Sequence, residues 1–285
     1  MSDVDFDRLL SQEFIPQAPR AEEPPPAALG VLAEQALLHA TLVSDKPFRT
    51  IEAIVAEIDR KLSEQINLIL HHPDYQQLES TWRGLHYLVT SAVTDSTLKI
   101  KILDIGKREL ARSLRKFRGT AWDQSPFFKI IYEQEYGQLG GEPYGVLIGD
   151  YFFDHRPEDV QLLADIAMTA AAAHVPFLAA AAPSVMQMGS WAELANPRDV
   201  TRIFYTPEYA AWRSLREAED SRYLGLCLPR FLARLPYGSM TDPVDAFAFE
   251  EDVEGPDASR YLWANAAFAM GANIARAFSL YGWCS

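Results

Sequence analysis

The sequence predicts an α/β protein: a layered, mainly parallel sheet with flanking helices, preceded by a helical N-terminal section. Three observations carry this expectation. From about residue 96 onward, short apolar runs alternate with longer amphipathic ones, the pattern of strands joined by helical crossovers. Before that point, apolar residues recur at helical spacing. The chain has 285 residues, 48% of them hydrophobic, enough to bury a substantial core.

Taken in order, residues 1–30 read as a tail. Phe6, Leu9, Leu10 and Phe14 make an i, i+3, i+4, i+8 stripe, but a helix this short is marginal alone in water and needs a partner surface. Pro16, Pro19 and Pro24 to Pro26 follow and suit an extended linker. The alternative is a disordered tail with incidental apolar residues. Residues 31–95 form the helical section. Val31 to Val43 reads as a helix, and so does Thr50 to Leu70, where Ile51, Ile54, Val55, Ile58, Leu62, Ile66 and Ile69 recur. Pro73 ends that helix because it lacks an N–H and restricts the residue before it. Tyr75, Leu78, Trp82, Leu85 and Leu88 mark one face of the next helix, so the pair reads as a hairpin.

Residues 96–285 form the α/β domain. Leu98 to Leu103 alternates with period 2 and predicts a half-exposed strand. Lys107 to Phe117 and Pro126 to Tyr136 are predicted helices. Val146 to Phe152 suits an inner strand. Pro157 to Ala173 is a helix with proline in its first turn. Phe177 to Ala181 and Arg222 to Leu228 are further strands, and Pro197 to Phe204, Pro207 to Glu217 and Ser259 to Tyr281 are helices. No internal repeat is seen.

Composition narrows the function classes. A net charge of −13 argues against a dominant nucleic-acid role, which needs a concentrated basic surface. No run of about 18 apolar residues occurs, so no membrane insertion is expected. Ala167 to Ala182 is interrupted by Thr169, His174 and Pro176. The N-terminus MSDVDFDRLL is acidic and does not resemble a secretory signal. Cys227 and Cys284 read as two reduced thiols, and the expected location is the cytoplasm.

Few residues suggest chemistry. His71, His72 and His86 lack metal-ligand spacing, and capping or packing beside Pro73 is the better account. The glycine-rich loop from Gly137 to Gly145 ends a helix and precedes a strand, the reverse of a phosphate-cradling loop. Asp150, Asp154 and His155 follow a strand, where α/β enzymes place catalytic groups. They make a hydrolase-like enzyme the alternative reading, but no nucleophile elbow, cofactor fingerprint or metal signature accompanies them. The expectation is therefore no enzyme and no catalytic, cofactor-binding or metal residue. Arg213, Arg216, Glu217, Glu219, Asp220 and Arg222 form a dense charge cluster, either a solvated face or a contact that sets register with a neighbour. Of Trp82, Trp191, Trp212, Trp263 and Trp283, most are expected in the core and some at a subunit interface.

One stretch is more specific. After His71-His72-Pro73 comes Leu78-Glu79, then Trp82-Arg83-Gly84-Leu85 and Tyr87-Leu88. In the same chain order follow Gly140-Gly141-Glu142-Pro143-Tyr144-Gly145, Leu147-Ile148-Gly149-Asp150-Tyr151, Ala172-Ala173-His174-Val175-Pro176-Phe177 and Tyr209-Ala210-Ala211-Trp212-Arg213. Glu219 to Tyr223, Leu228 to Phe231, Leu235 to Gly238 and Tyr261 to Trp263 complete the series. This ordered set resembles the large subunit of the type VI secretion contractile sheath, from about residue 46 to Cys284. Chains of that family continue well past Gly282-Trp283-Cys284, so this sequence looks like the N-terminal portion or a short relative. The resemblance implies a structural protein without catalysis. It implies pairing with a small sheath subunit and helical stacking with other protomers. It also implies an inner tube, met indirectly or through a C-terminal region, and an AAA+ disassembly ATPase that engages the subunit near its N-terminus. On that reading Phe6, Leu9 and Leu10 are anchors for the ATPase, and Arg213, Arg216, Glu219, Asp220 and Arg222 are candidate partner contacts. A shortened regulator that caps sheath assembly is a further reading.

Overall fold

The computed structural model describes residues 47–195, 200–254 and 258–282. The expected helix from Val31 to Val43, the tail anchors Phe6, Leu9 and Leu10, and Cys284 lie outside the described residues.

The hairpin is present. Helix α1 runs Pro47–Leu70 and α2 runs Pro73–Ser91. Proline occupies the first turn of α2, and His72 caps it, its Nδ1 accepting from Asp74 N at 3.3 Å. The capping reading of the histidine pair holds at that residue. The face of α2 that turns inward differs from expectation. It is Ser80, Gly84 and Leu88, spaced by four, that is buried, while Tyr75, Leu78 and Trp82 point outward. The reason is close approach. A Cβ on Gly84 would sit 2.4 Å from the ring of buried Phe268 on helix α8 (Ala266–Tyr281). Small residues therefore face α8 and the larger ones are left outside. The Gly84→Ala variant is expected to destabilise the fold by roughly 1–3 kcal/mol, the cost of overpacking. On an open helix face the same change stabilises, so the sign of the shift in a urea midpoint is diagnostic.

The sheet is three-stranded and parallel, in the order β1 (Leu147–Phe153), β2 (Phe177–Ala181), β3 (Leu224–Cys227). Helix α5 (Pro157–Ala172) makes the first crossover. The second passes through α6 (Val200–Ile203) and α7 (Ala210–Glu217). Helices α3 (Lys107–Lys116) and α4 (Pro126–Phe128) precede β1, and Lys129–Tyr136 continues α4 as a π-helix. Its widened turns end at Gly137, whose N–H donates to Tyr132 O at 2.7 Å. The following loop folds back so tightly that a Cβ on Gly141 would lie 2.0 Å from Glu135 O.

Strand alternation sorts the side chains into two layers. Leu147, Tyr151 and Phe153 of β1, with Phe177, Ala179 and Ala181 of β2, join the main core under α3, α5 and α7. Ile148 points the other way, into a smaller cluster with Leu88 of α2 and Phe268 and Ala272 of α8. Thus α2 and α8 cover one face of the sheet, and α3, α5 and α7 cover the other.

Two sequence expectations need correction. Leu98 to Leu103 is not a strand. Lys101 is held by Glu135 at 2.6 Å, Lys99 pairs with Glu142, and Ile102 is 70% exposed, so side-chain contacts rather than a backbone ladder fix the segment. Burial pushes the Tyr151 hydroxyl up to about 12, and it donates to Ile105 O at 2.7 Å beside the same segment. Second, the last helix does not begin at Ser259. Trp263–Asn265 forms β5, antiparallel to β4 (Arg230–Leu232), and Asn265 caps α8 by accepting from Ala267 N at 2.8 Å. An Asn directly before Ala-Ala-Phe is an N-cap signal that the sequence does display. The tryptophans divide as the sequence suggests: Trp191 and Trp212 are core residues, and Trp82 is exposed.

Candidate interaction surfaces

The Leu78-to-Leu88 motif is explained by what its residues touch. Arg234 lies almost wholly buried between two carboxylates, 2.8 Å from Glu79 and 2.6 Å from Glu251. Glu79 also receives Arg83 at 2.7 Å, and Arg83 donates to the Tyr237 hydroxyl at 2.9 Å. Glu251 accepts from Tyr237 N at 2.9 Å, and the Arg234 guanidinium stacks 4.3 Å from the Tyr237 ring. His71 Nε2 is buried 3.6 Å from Glu251, too far for a hydrogen bond. Burial pushes the Glu79 carboxyl up, but hydrogen bonds from Arg234 and Arg83 outweigh it and leave the carboxyl below its ordinary range. Burial works to lower the Arg234 guanidinium, but its hydrogen bonds to Glu251 and Glu79 outweigh this and raise it above the ordinary guanidinium range. This ionic cage ties the middle of α2 to the 234–251 segment, and Asn67 near the end of α1 is joined to the same segment at Glu250 O and Asp252 N.

Outside the cage, several large apolar side chains are exposed. Leu68 and Ile69 of α1, 70% and 48% exposed, precede the turn, and Leu78 and Trp82 of α2, 56% and 63% exposed, follow it. Leu88 is buried and Tyr87 packs on Phe231, their ring centroids 5.2 Å apart. Large apolar side chains exposed on both helices of one hairpin are candidates for a docking face. The helical periodicity in the sequence reveals these residues but not which way they point, because Gly84 and Ser80 decide that.

The residues of the hydrolase-like alternative are brought together only in part: Asp154 and His155 meet, and Asp150 is engaged elsewhere. Asp150 faces α2 and β5, accepting from Thr81 Oγ1 at 2.5 Å and Asn265 Nδ2 at 3.2 Å. His155 stacks on Tyr209, a residue of the core on the other side of the sheet, with centroids 4.2 Å apart, and its Nε2 meets Glu208 Oε1 at 3.0 Å. Asp154 Oδ1 lies 2.6 Å from both His155 N and His155 Nδ1, and the Asp154 N–H donates to Asp159 at 2.7 Å.

The charge cluster is divided. Arg213 is engaged inside the fold, donating to Phe204 O and Thr206 O, both at 2.7 Å. Arg216 and Arg222 are exposed, Arg222 lies 3.6 Å from exposed Glu219, and Asp220 is half-buried.

The fold and its surfaces first define a class: a layered α/β protein with exposed apolar residues on its N-terminal helix pair. Residues 52–285 match the family described as VipB, EvpB/VC_A0108, tail sheath N-terminal domain, and the chain belongs to that family. Among its relatives, the type VI secretion system sheath protein TssC1 of Pseudomonas aeruginosa is 61% identical over 281 residues, which is 99% of this chain and 56% of the relative. The chain therefore spans little more than half the length of that relative. No helix among the described residues is long and apolar enough to cross a membrane.

Proposed function

We propose that the chain is a structural part of the large subunit of a type VI secretion contractile sheath, acting by association and not by catalysis. The observation that carries this reading is the set of exposed apolar residues Leu68, Ile69, Leu78 and Trp82 on the α1–α2 hairpin, whose second helix is anchored by the Glu79–Arg234–Glu251 cage, in a chain that belongs to the tail sheath family. A small sheath subunit is the proposed partner of these residues. Other protomers stack around an inner tube in the cytoplasm, and the exposed Arg216, Glu219 and Arg222 are available to set register between them. Apolar surface of this kind favours self-association when uncovered. The chain expressed alone is expected to be poorly soluble or self-associated, and co-expression with a cognate small subunit is expected to relieve this. Solubility that is identical with and without the small subunit would count against the pairing.

The N-terminal stripe is a separate element of the proposal. Phe6, Leu9 and Leu10 are at the i, i+3, i+4 spacing of a helix-in-groove contact, and the proposed partner is the AAA+ disassembly ATPase. A labelled peptide of residues 1–20 is expected to bind the N-terminal domain of that ATPase in fluorescence anisotropy. Leu9→Asp with Leu10→Asp is expected to abolish binding, because each charge is forced against an apolar groove. Unchanged affinity in the double variant removes these residues from the contact.

A further inference from the structure

Helix α3 has two opposed faces. Leu110 and Leu114 are buried in the main core. Arg108, Arg112, Arg115 and Lys116, at i, i+4, i+7 and i+8, share the other face; all are exposed and none has an ion pair among the described residues. Like charges four residues apart oppose helix formation. The stripe is thus a cost to the isolated chain, and it stands in a protein of net charge −13.

The complementary charge lies on the opposite side of the molecule. Asp242, Asp245, Glu250, Asp252 and Glu254 are exposed within one short segment; Asp252 is paired with Arg260, whereas Asp242 and Asp245 have no ion pair among the described residues. This segment is fixed to the α1–α2 side of the sheet: Asn67 Nδ2 donates to Glu250 O at 3.2 Å, and Asp252 N donates to Asn67 Oδ1 at 2.8 Å. Helix α3 packs on the other side, in the core beneath α5. The sheet separates the two poles, so they do not neutralise one another within one chain.

We propose that the basic face of α3 docks on the 242–254 segment of a second copy of this chain. The contact joins two different surfaces, so it is heterologous and propagates copy to copy instead of closing as a two-fold dimer. It stands apart from the small-subunit pairing, which uses apolar groups, and the two are told apart by salt. Charge-driven contacts weaken as the screening length falls to about 3 Å near 1 M salt, whereas apolar association does not.

Sedimentation velocity of the purified, nuclease-treated chain tests this. Association that is present at low salt and reduced near roughly 1 M salt is expected. Arg112→Glu with Arg115→Glu, and separately Asp242→Lys with Asp245→Lys, should each weaken it by roughly tenfold or more. An equal mixture of the two variants should regain it, since each then carries the charge the other lacks. All four positions are exposed, and unchanged circular dichroism checks folding. Absence of a salt-sensitive component, insensitivity to both reversals, or a mixture that stays apart would each overturn the proposal. So would association that disappears on nuclease treatment.

Discussion

Arg234→Ala is expected to destabilise the fold by about 3–5 kcal/mol, the cost of leaving buried carboxylates without their cation. Glu251 is almost wholly buried and Glu79 nearly so, and both point at Arg234. Removing the arginine leaves two negative charges together in the interior. Glu79→Ala removes one partner from Arg83 and from Arg234, which keeps Glu251, so a smaller loss is expected. Replacing the group by apolar residues of matching volume should be tolerated much better, since such swaps remove the buried charge altogether. Urea denaturation gives all of these. The pH dependence has a defined sign. Glu79 has a depressed carboxyl in the folded state. Its contribution is therefore fully present above its unfolded pKa, about 4.3, and is lost as pH falls through the lower folded value. A urea midpoint that drops below about pH 4, and drops less in Glu79→Ala, is the expected signature.

Leu78→Asp with Trp82→Asp is expected to abolish capture of the small sheath subunit while leaving the fold intact. Both side chains are more than half exposed, so little native packing is lost. Large exposed aromatic groups at the centre of an apolar patch are the residues on which binding energy concentrates, and truncation there costs 2 kcal/mol or more, roughly a 30-fold loss in affinity. A charge in the same place adds the cost of desolvation. Unchanged thermal unfolding with lost capture is the predicted pair of results. Retained capture would place the partner elsewhere on the chain.

Much of the fold is legible in the sequence because its signals are local. Phe177 to Ala181 is a continuous apolar run between a helix and a proline, and the strand has those bounds. Pro157 and Pro73 begin helices because their missing N–H is not needed there. The errors arise where distant residues decide. Leu98 to Leu103 has strand alternation, but its lysines find Glu135 and Glu142 instead of a ladder. Trp263 to Asn265 pairs with Arg230 to Leu232, a partner more than thirty residues away in a segment without clear alternation. The candidate surface shows the same division. Periodicity identifies Leu78 and Trp82 as apolar members of α2, but their outward direction follows from the contact of Gly84 with Phe268. The Glu79–Arg234–Glu251 cage is built across long sequence separations and has no local signature.

The sheath assignment is tested most directly by the composition and mass of what the chain carries with it. The chain is co-expressed with a cognate small sheath subunit, captured by a tag on the chain, and passed through size exclusion with light scattering. The account predicts one peak holding both proteins in fixed proportion, lost in the Leu78→Asp, Trp82→Asp variant. A well-behaved monomer that leaves the small subunit in the flow-through would contradict it.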